Sequence, residues 1–201
     1  MTALHLISMM IAMKKIIIKA SRGRSLSFDR QAALQTALHL FWKHGYEGTS
    51  IAELVVAIGI APPSLYSTFG SKEQLYQEVI ALYLQGPGNF IQTALGDTDS
   101  GCGFIERILL SAAREFSAHS HPPGCIVATG LVASSALHHQ VAQSLAELRN
   151  ATLQAIEQRL QQAKDAGELP PTSDCRALAR LFAACIQGMS IQARDGASAE
   201  E

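Results

Sequence analysis

The densest set of groups able to do chemistry lies in one short segment, His119-Ser120-His121-Pro122-Pro123-Gly124-Cys125. His119, His121 and Cys125 have the ligand types of a metal site, and neighbouring imidazoles can also activate Cys125 as a thiol sensor of oxidants or electrophiles. A proline-proline-glycine-cysteine turn equally suits the plain entrance to a buried helix, so these readings stand side by side. The four cysteines, Cys102, Cys125, Cys175 and Cys185, form no C-x-x-C pair and are too dispersed for a disulfide framework. Free thiols in a reducing, cytoplasmic compartment are expected. There is no glycine-rich phosphate loop, no serine-centred elbow and no H-E-x-x-H pair. The sequence therefore implies neither an enzyme nor a cofactor. The alternative function that this segment supports is a helical thiol-dependent redox or metal-binding protein.

A second chemical signal is basic. Lys14, Lys15, Lys19, Arg22 and Arg24 occur with no acid among them, whereas Gly86 to Gly103 holds Asp97 and Asp99 and no Lys or Arg. The formal net charge of −1 hides this asymmetry. Residues 1–24 read as a flexible basic arm that meets phosphates, or else as a solubilising tail. Met1 to Ala12 is apolar, but its positive charges follow the apolar run, and no small-residue cleavage site comes after it, unlike a signal peptide. With 48% hydrophobic and 16% charged residues, the chain has the balance of a soluble globular protein.

The elements that must position these groups are helical. Leu34, Ala37, Leu38 and Phe41 recur at helical spacing, as do Ile105, Ile108, Leu109, Ala112 and Phe116, and then Leu178, Leu181, Phe182, Cys185, Ile186 and Met189. The expected fold class is all-α. Ser50 and Glu53 have capping-box spacing, Gly59 suits a helix stop, and Pro62 and Pro63 suit a first helical turn. Gly70 and a second box at Ser71 to Gln74 follow. Two short helices, 51–58 and 62–69, joined by a tight turn make a helix-turn-helix, packed through Leu54, Val55, Ile58 and Leu65. Further helices are expected near 86–96, 104–118, 125–136, 138–166 and 174–192.

Residues 28–83 resemble the DNA-binding region of the TetR/AcrR family, through the G-Y-x-G-T-S entry at Gly45 to Ser50, the G-x-A-P-P-S-L-Y run ending at Tyr66, and F-G-S-K-E-x-L-Y from Phe69. The resemblance implies a dimeric transcriptional regulator, a repressor released from a palindromic operator by a small-molecule or redox signal. It also implies an N-terminal three-helix DNA-binding domain over 25–71 and a larger ligand-sensing and dimerisation domain over 72–201, connected by the helix 72–85. Thr49 and Ser50 would meet a phosphate, Tyr66 would donate its phenol to the backbone, and Lys72 would reach a neighbouring phosphate. Pro63, Ser64, Ser67 and Thr68 are candidates for groove contacts, although Ser64 and Thr68 also suit mere capping or solvation. Arg22 and Arg24 would enter a minor groove, with Ser25 standing where relatives often carry proline.

An effector cavity would be lined by Phe90, Phe104, Ile108, Leu109, Phe116, Ile126 and Leu131, each of which would serve equally well as core. Leu145, Leu148, Thr152, Ile156, Leu178, Phe182, Cys185 and Met189 are the expected dimer interface, with Ala183, Ala184 and Gly188 allowing close approach. The same faces would also suit the closing of a monomer's own core. The expected partners are double-stranded DNA, a second copy of the chain and an effector, with no membrane.

Overall fold

The computed structural model describes residues 29–96, 101–132 and 136–201, and the basic arm with Arg22 and Arg24 lies outside them. Nine α-helices are found among the described residues: α1 (Arg30–Gly48), α2 (Ile51–Ile58), α3 (Pro62–Phe69), α4 (Lys72–Gln85), α5 (Phe90–Gly96), α6 (Gly101–Phe116), α7 (Ile126–Thr129), α8 (His139–Asp165) and α9 (Cys175–Arg194). No strand occurs among those residues, and none of these helices is by itself long and apolar enough to cross a membrane. The chain divides into two compact units, one ending at Gly86 and one running from Pro87 to Glu201.

In the first unit, Asp29 caps α1 by accepting from the amides of Gln31 (2.8 Å) and Ala32 (3.3 Å). The stripe Leu34, Ala37, Leu38, Phe41 is buried as its spacing requires, with Trp42 and Tyr46 beside it. α4 supplies the opposing face. Trp42 meets Tyr83 edge-on at 4.8 Å and Phe41 meets Tyr76 at 5.0 Å, contacts that contribute about 0.5–1.5 kcal/mol each beyond their buried area. Arg30 ties the start of α1 to Glu78 of α4 at 2.7 Å and lies 4.8 Å over the ring of Phe69 at the end of α3. The sequence places α4 in the second domain as a connector. Its packing against α1 sets it in the first unit.

The second unit is built on α8 and α9. Leu145, Ile156 and Leu160 of α8, Ala179 and Ile186 of α9, and Phe104, Ile108 and Phe116 of α6 are all buried in it. Asp174 caps α9 by accepting from the amide of Ala177 at 3.0 Å. The helix expected over 125–136 is one turn only, ending at Thr129. Arg149 of α8 donates to the carbonyl oxygens of Val127 (2.9 Å) and Gly130 (3.2 Å), satisfying groups that this short helix leaves free at its end. The turn before α7 is drawn hard against α9: the Cys125 amide donates to Ser190 Oγ at 2.7 Å. Gly124 has φ +80°, and a Cβ there would stand 2.6 Å from the Ser190 carbonyl oxygen.

Gly124→Ala therefore combines a disfavoured backbone conformation with a steric clash, and should cost about 2–4 kcal/mol in denaturant unfolding. Gly167, also at φ +80° but with nothing within 4 Å of a Cβ, provides the control. Gly167→Ala should cost only about 1 kcal/mol, from the backbone alone. Equal losses for the two variants would show that the approach of α9 is not tight.

Candidate nucleic-acid interface

Local rules build this surface in chain order. α1 breaks at Gly45, where φ is 75° and ψ 174°, a region that only glycine enters cheaply. Ser50 then opens α2 with a complete capping box: its hydroxyl accepts from the Glu53 amide at 3.1 Å, and its own amide donates to the Glu53 carboxylate at 2.7 Å. The Ser50 amide and hydroxyl hold the Glu53 carboxyl below its ordinary range. Gly59 ends α2 in the left-handed conformation at φ 77°. α2 and α3 then diverge by 93°, the arrangement of a helix-turn-helix. Leu54 and Leu65 are fully buried between them, with Val55 nearly so.

α3 begins differently from its neighbours. Ala61 offers no side-chain cap, Pro62 and Pro63 have no amide hydrogen, and the amide of Ser64 donates to the Ala61 carbonyl at 2.9 Å. Pro63, Tyr66 and Ser67 are exposed, whereas Ser64 and Thr68 are half-buried along the side of the helix. Thr68 donates to the Ser64 carbonyl oxygen at 2.7 Å and Ser67 to the same oxygen at 3.0 Å. With those hydrogens committed, both hydroxyls keep lone pairs that can accept. That arrangement suits acceptance from an exocyclic base amine.

Thr49 is the clearest correction to the sequence reading. It is wholly buried, and its hydroxyl donates to the Gly45 carbonyl at 2.8 Å, with Leu40 O at 3.3 Å. The hydroxyl thus closes the break in α1 and is not presented to a phosphate. Ser50 stays exposed at the start of α2.

Lys72, in the first turn of α4, has its ammonium 4.4 Å over the centroid of the Tyr46 ring. Burial pulls its pKa below the ordinary 10.5, against the opposing pull of Glu73 and then of Glu47 and Glu53. The Tyr46 hydroxyl donates to Glu73 Oε1 at 2.7 Å. Burial first, and then that carboxylate, hold the phenol far above its ordinary 10.0. Sequence reasoning passed over Tyr46 and Glu73 as site residues; the only available signal was their presence in the motifs that flank α2 and α3.

The other residues singled out from sequence lie in the second unit. Phe104, Ile108, Phe116 and Ile126 are buried there, with Phe90, Leu109 and Leu131 half-buried, and the rings of Phe90 and Phe116 meet edge-on at 5.6 Å. Cys125 is buried and its sulfur accepts from the Ala128 amide at 3.4 Å, while His121 Nε2 lies 3.0 Å from Glu115 and His119 is exposed. Among the described residues no three His, Cys, Asp or Glu groups converge as a metal requires. His119, His121 and Cys125 are thus not assembled into such a set.

Leu145, Leu148 and Ile156, expected at a dimer interface, are buried within their own unit. Thr152, Leu178, Phe182 and Met189 are half-buried and Cys185 is exposed. The outer face of α9 also carries Leu181 and Ile191, 56% and 54% exposed, on either side of Ala184 and Gly188.

Known proteins resemble this chain over nearly its full length. Residues 33–79 match the family described as bacterial regulatory proteins, tetR family, and residues 105–199 match the tetracyclin repressor-like C-terminal domain. The HTH-type transcriptional repressor ComR of Escherichia coli is 36% identical over 92% of this chain and 88% of its own. BdcR, another HTH-type transcriptional repressor of that organism, is 27% identical over 89% and 86%. Among solved structures, a cysteine-substituted form of the regulator CifR, complexed with 26-bp double-strand operator DNA, superposes with a TM-score of 0.83 at 33% identity. That match covers 88% of this chain and 93% of the CifR chain.

The raised pKa of Tyr46 makes a prediction with a definite sign. Its protonated form contributes stability that is complete below the unfolded value near 10 and is lost as pH rises through the folded value. A difference titration of wild type against Tyr46→Phe should therefore show no phenolate absorbance from Tyr46 on crossing pH 10, appearing only as the unit unfolds. Ordinary ionisation near pH 10 would contradict the buried hydrogen bond.

Proposed function

The chain belongs to the tetR family of bacterial regulatory proteins, and from that premise we propose that it acts as a dimeric repressor, released from a palindromic operator when its second unit receives a signal. One observation carries the DNA-binding part: two short helices at 93°, with α3 presenting Pro63, Tyr66, Ser67 and the edges of Ser64 and Thr68. An exposed helix of this kind enters a major groove, while its neighbours anchor on phosphates. Ser50 at the start of α2 and Lys72 at the start of α4 flank it and suit that anchoring. Arg22 and Arg24 extend the contact into a minor groove. Family members regulate transcription and are not enzymes, and this chain works in the cytoplasm on chromosomal DNA.

Pairing of two copies through α9 is supported by its exposed apolar stripe. Gly188 lies in that stripe, and a Cβ added there would meet nothing within 4 Å, so nothing within its own fold calls for glycine at this position. A second α9 crossing at Gly188 does call for it, and a two-fold pairing sets two reading heads one helical turn apart. The effector enters among α5, α6, α7 and α8, near Phe90, Phe104, Ile108, Leu109, Phe116, Ile126 and Leu131. A thiol signal at Cys125 is an alternative trigger, because the amide of that residue is tied to Ser190 on α9 and a shift there reaches the pairing helix directly. Either signal acts by favouring the dimer geometry that does not fit the operator.

Selection from a random duplex library tests the reading. The full chain should enrich a palindrome and bind it with a steep salt dependence. Ser64→Ala and Thr68→Ala should each relax preference at one base pair by about 1–3 kcal/mol. Recovery of unrelated sequences with equal affinity would end the repressor assignment.

Gly188→Arg tests the pairing. Sedimentation should show a monomer with nearly unchanged melting, and affinity for the palindrome should fall about a hundredfold or more as the two heads separate. A dimer that survives this substitution would exclude α9 crossing at Gly188.

A further inference from the structure

Tyr46 stands between two neighbours of opposite charge. Its ring seats the Lys72 ammonium at 4.4 Å, and its hydroxyl binds Glu73 Oε1 at 2.7 Å. Glu73 is adjacent to Lys72 in the chain and acts on it more strongly than Glu47 or Glu53. A carboxylate so placed would compete with a phosphate for the ammonium, since both offer charged oxygen acceptors to the same donors. The aromatic face attracts the cation without engaging oxygen acceptors, so its N–H groups remain available. The ring itself is wedged, stacked with Phe41 at 6.1 Å and edge-on to Tyr76 at 5.0 Å, and the break at Gly45 directs the chain into that position.

We propose that Tyr46 is a positioning residue for DNA binding, seating the Lys72 ammonium on its ring while its hydroxyl engages the Glu73 carboxylate, so that the ammonium stays available to a DNA phosphate. The proposal rests on the reading of Lys72 as a phosphate contact and supplies the means by which that contact stays available. Tyr46 itself touches no DNA.

The test uses the full chain and the duplex it selects from a random library, titrated from about 50 to 200 mM salt. Lys72→Gln should weaken binding and flatten the log–log salt slope by roughly 0.9 for each phosphate no longer neutralised. Tyr46→Phe keeps the ring but removes the hydroxyl's bond to Glu73, and should weaken binding about three- to tenfold, the range that one hydrogen bond commands. Adding Glu73→Gln to Tyr46→Phe should restore affinity and slope, which a purely structural role for the hydroxyl would not allow. In a Lys72→Gln background, Tyr46→Phe should cost nothing more.

Wild-type affinity and slope in Tyr46→Phe would overturn the proposal, as would a deficit that Glu73→Gln leaves unrepaired or one that adds to Lys72→Gln. A Tyr46→Phe protein unfolded at the assay temperature would overturn it too, because the hydroxyl would then be serving the fold. Those results would leave the DNA-binding reading intact. A wild-type chain that selects no duplex would instead remove the Lys72 contact, and both conclusions with it.

Discussion

At Gly45 the first helix turns within its last residues, and the DNA-reading unit is arranged around that corner. Its φ of 75° and ψ of 174° exclude an ordinary side chain on conformational grounds alone, since a Cβ there would meet nothing within 4 Å. Thr49 locks the corner from the far side with its hydroxyl on the Gly45 carbonyl, out of reach of water. Two consequences follow directly. The Tyr46 ring drops in beside Phe41 and Tyr76, beneath Lys72, and the chain reaches Ser50 ready to cap α2. The direction of α3 is then set by Gly59 and by the small apolar seam of Leu54, Val55 and Leu65.

The second unit relies on a different constraint, close approach between distant parts of the chain. Gly124 and Cys125 meet Ser190 across 65 residues of sequence, with a hydrogen bond and no room for a methyl group. Arg149 fastens the far end of α7 to α8. α7, four residues long, is therefore held at one end by α9 and at the other by α8. A helix this short is marginal alone, so its stability comes from these attachments rather than from propensity.

Features governed by nearest neighbours were legible in the sequence. The boxes at Ser50 and Ser71, the left-handed Gly59, the prolines of α3 and the stripe from Leu34 to Phe41 all depend on residues within one or two turns. Features that depend on what lies opposite were not. An apolar stripe has the same spacing whether it faces its own core or a second copy, so spacing alone did not separate Leu145, Leu148 and Ile156, which are buried, from Leu181 and Ile191, which are exposed. A hydroxyl beside a helix start suits a phosphate or a carbonyl equally. Only the fold around Gly45 shows that Thr49 serves the carbonyl. Tyr46 and Glu73 meet across 27 positions, a separation that no local pattern encodes.

The start of α3 is electrically quiet. Two prolines remove two of its first amide hydrogens, and the next amide is bonded back to Ala61. The positive pole that a helix N-terminus normally offers is thus reduced on α3. α2 and α4 both have full capping boxes, closed by Glu53 and Gln74, and each carries an acidic residue in its first turn. The three helix starts thus differ in kind: those of α2 and α4 are closed by side-chain caps, whereas α3 begins with few amide donors and offers mainly its shape, apolar groups and hydroxyl lone pairs.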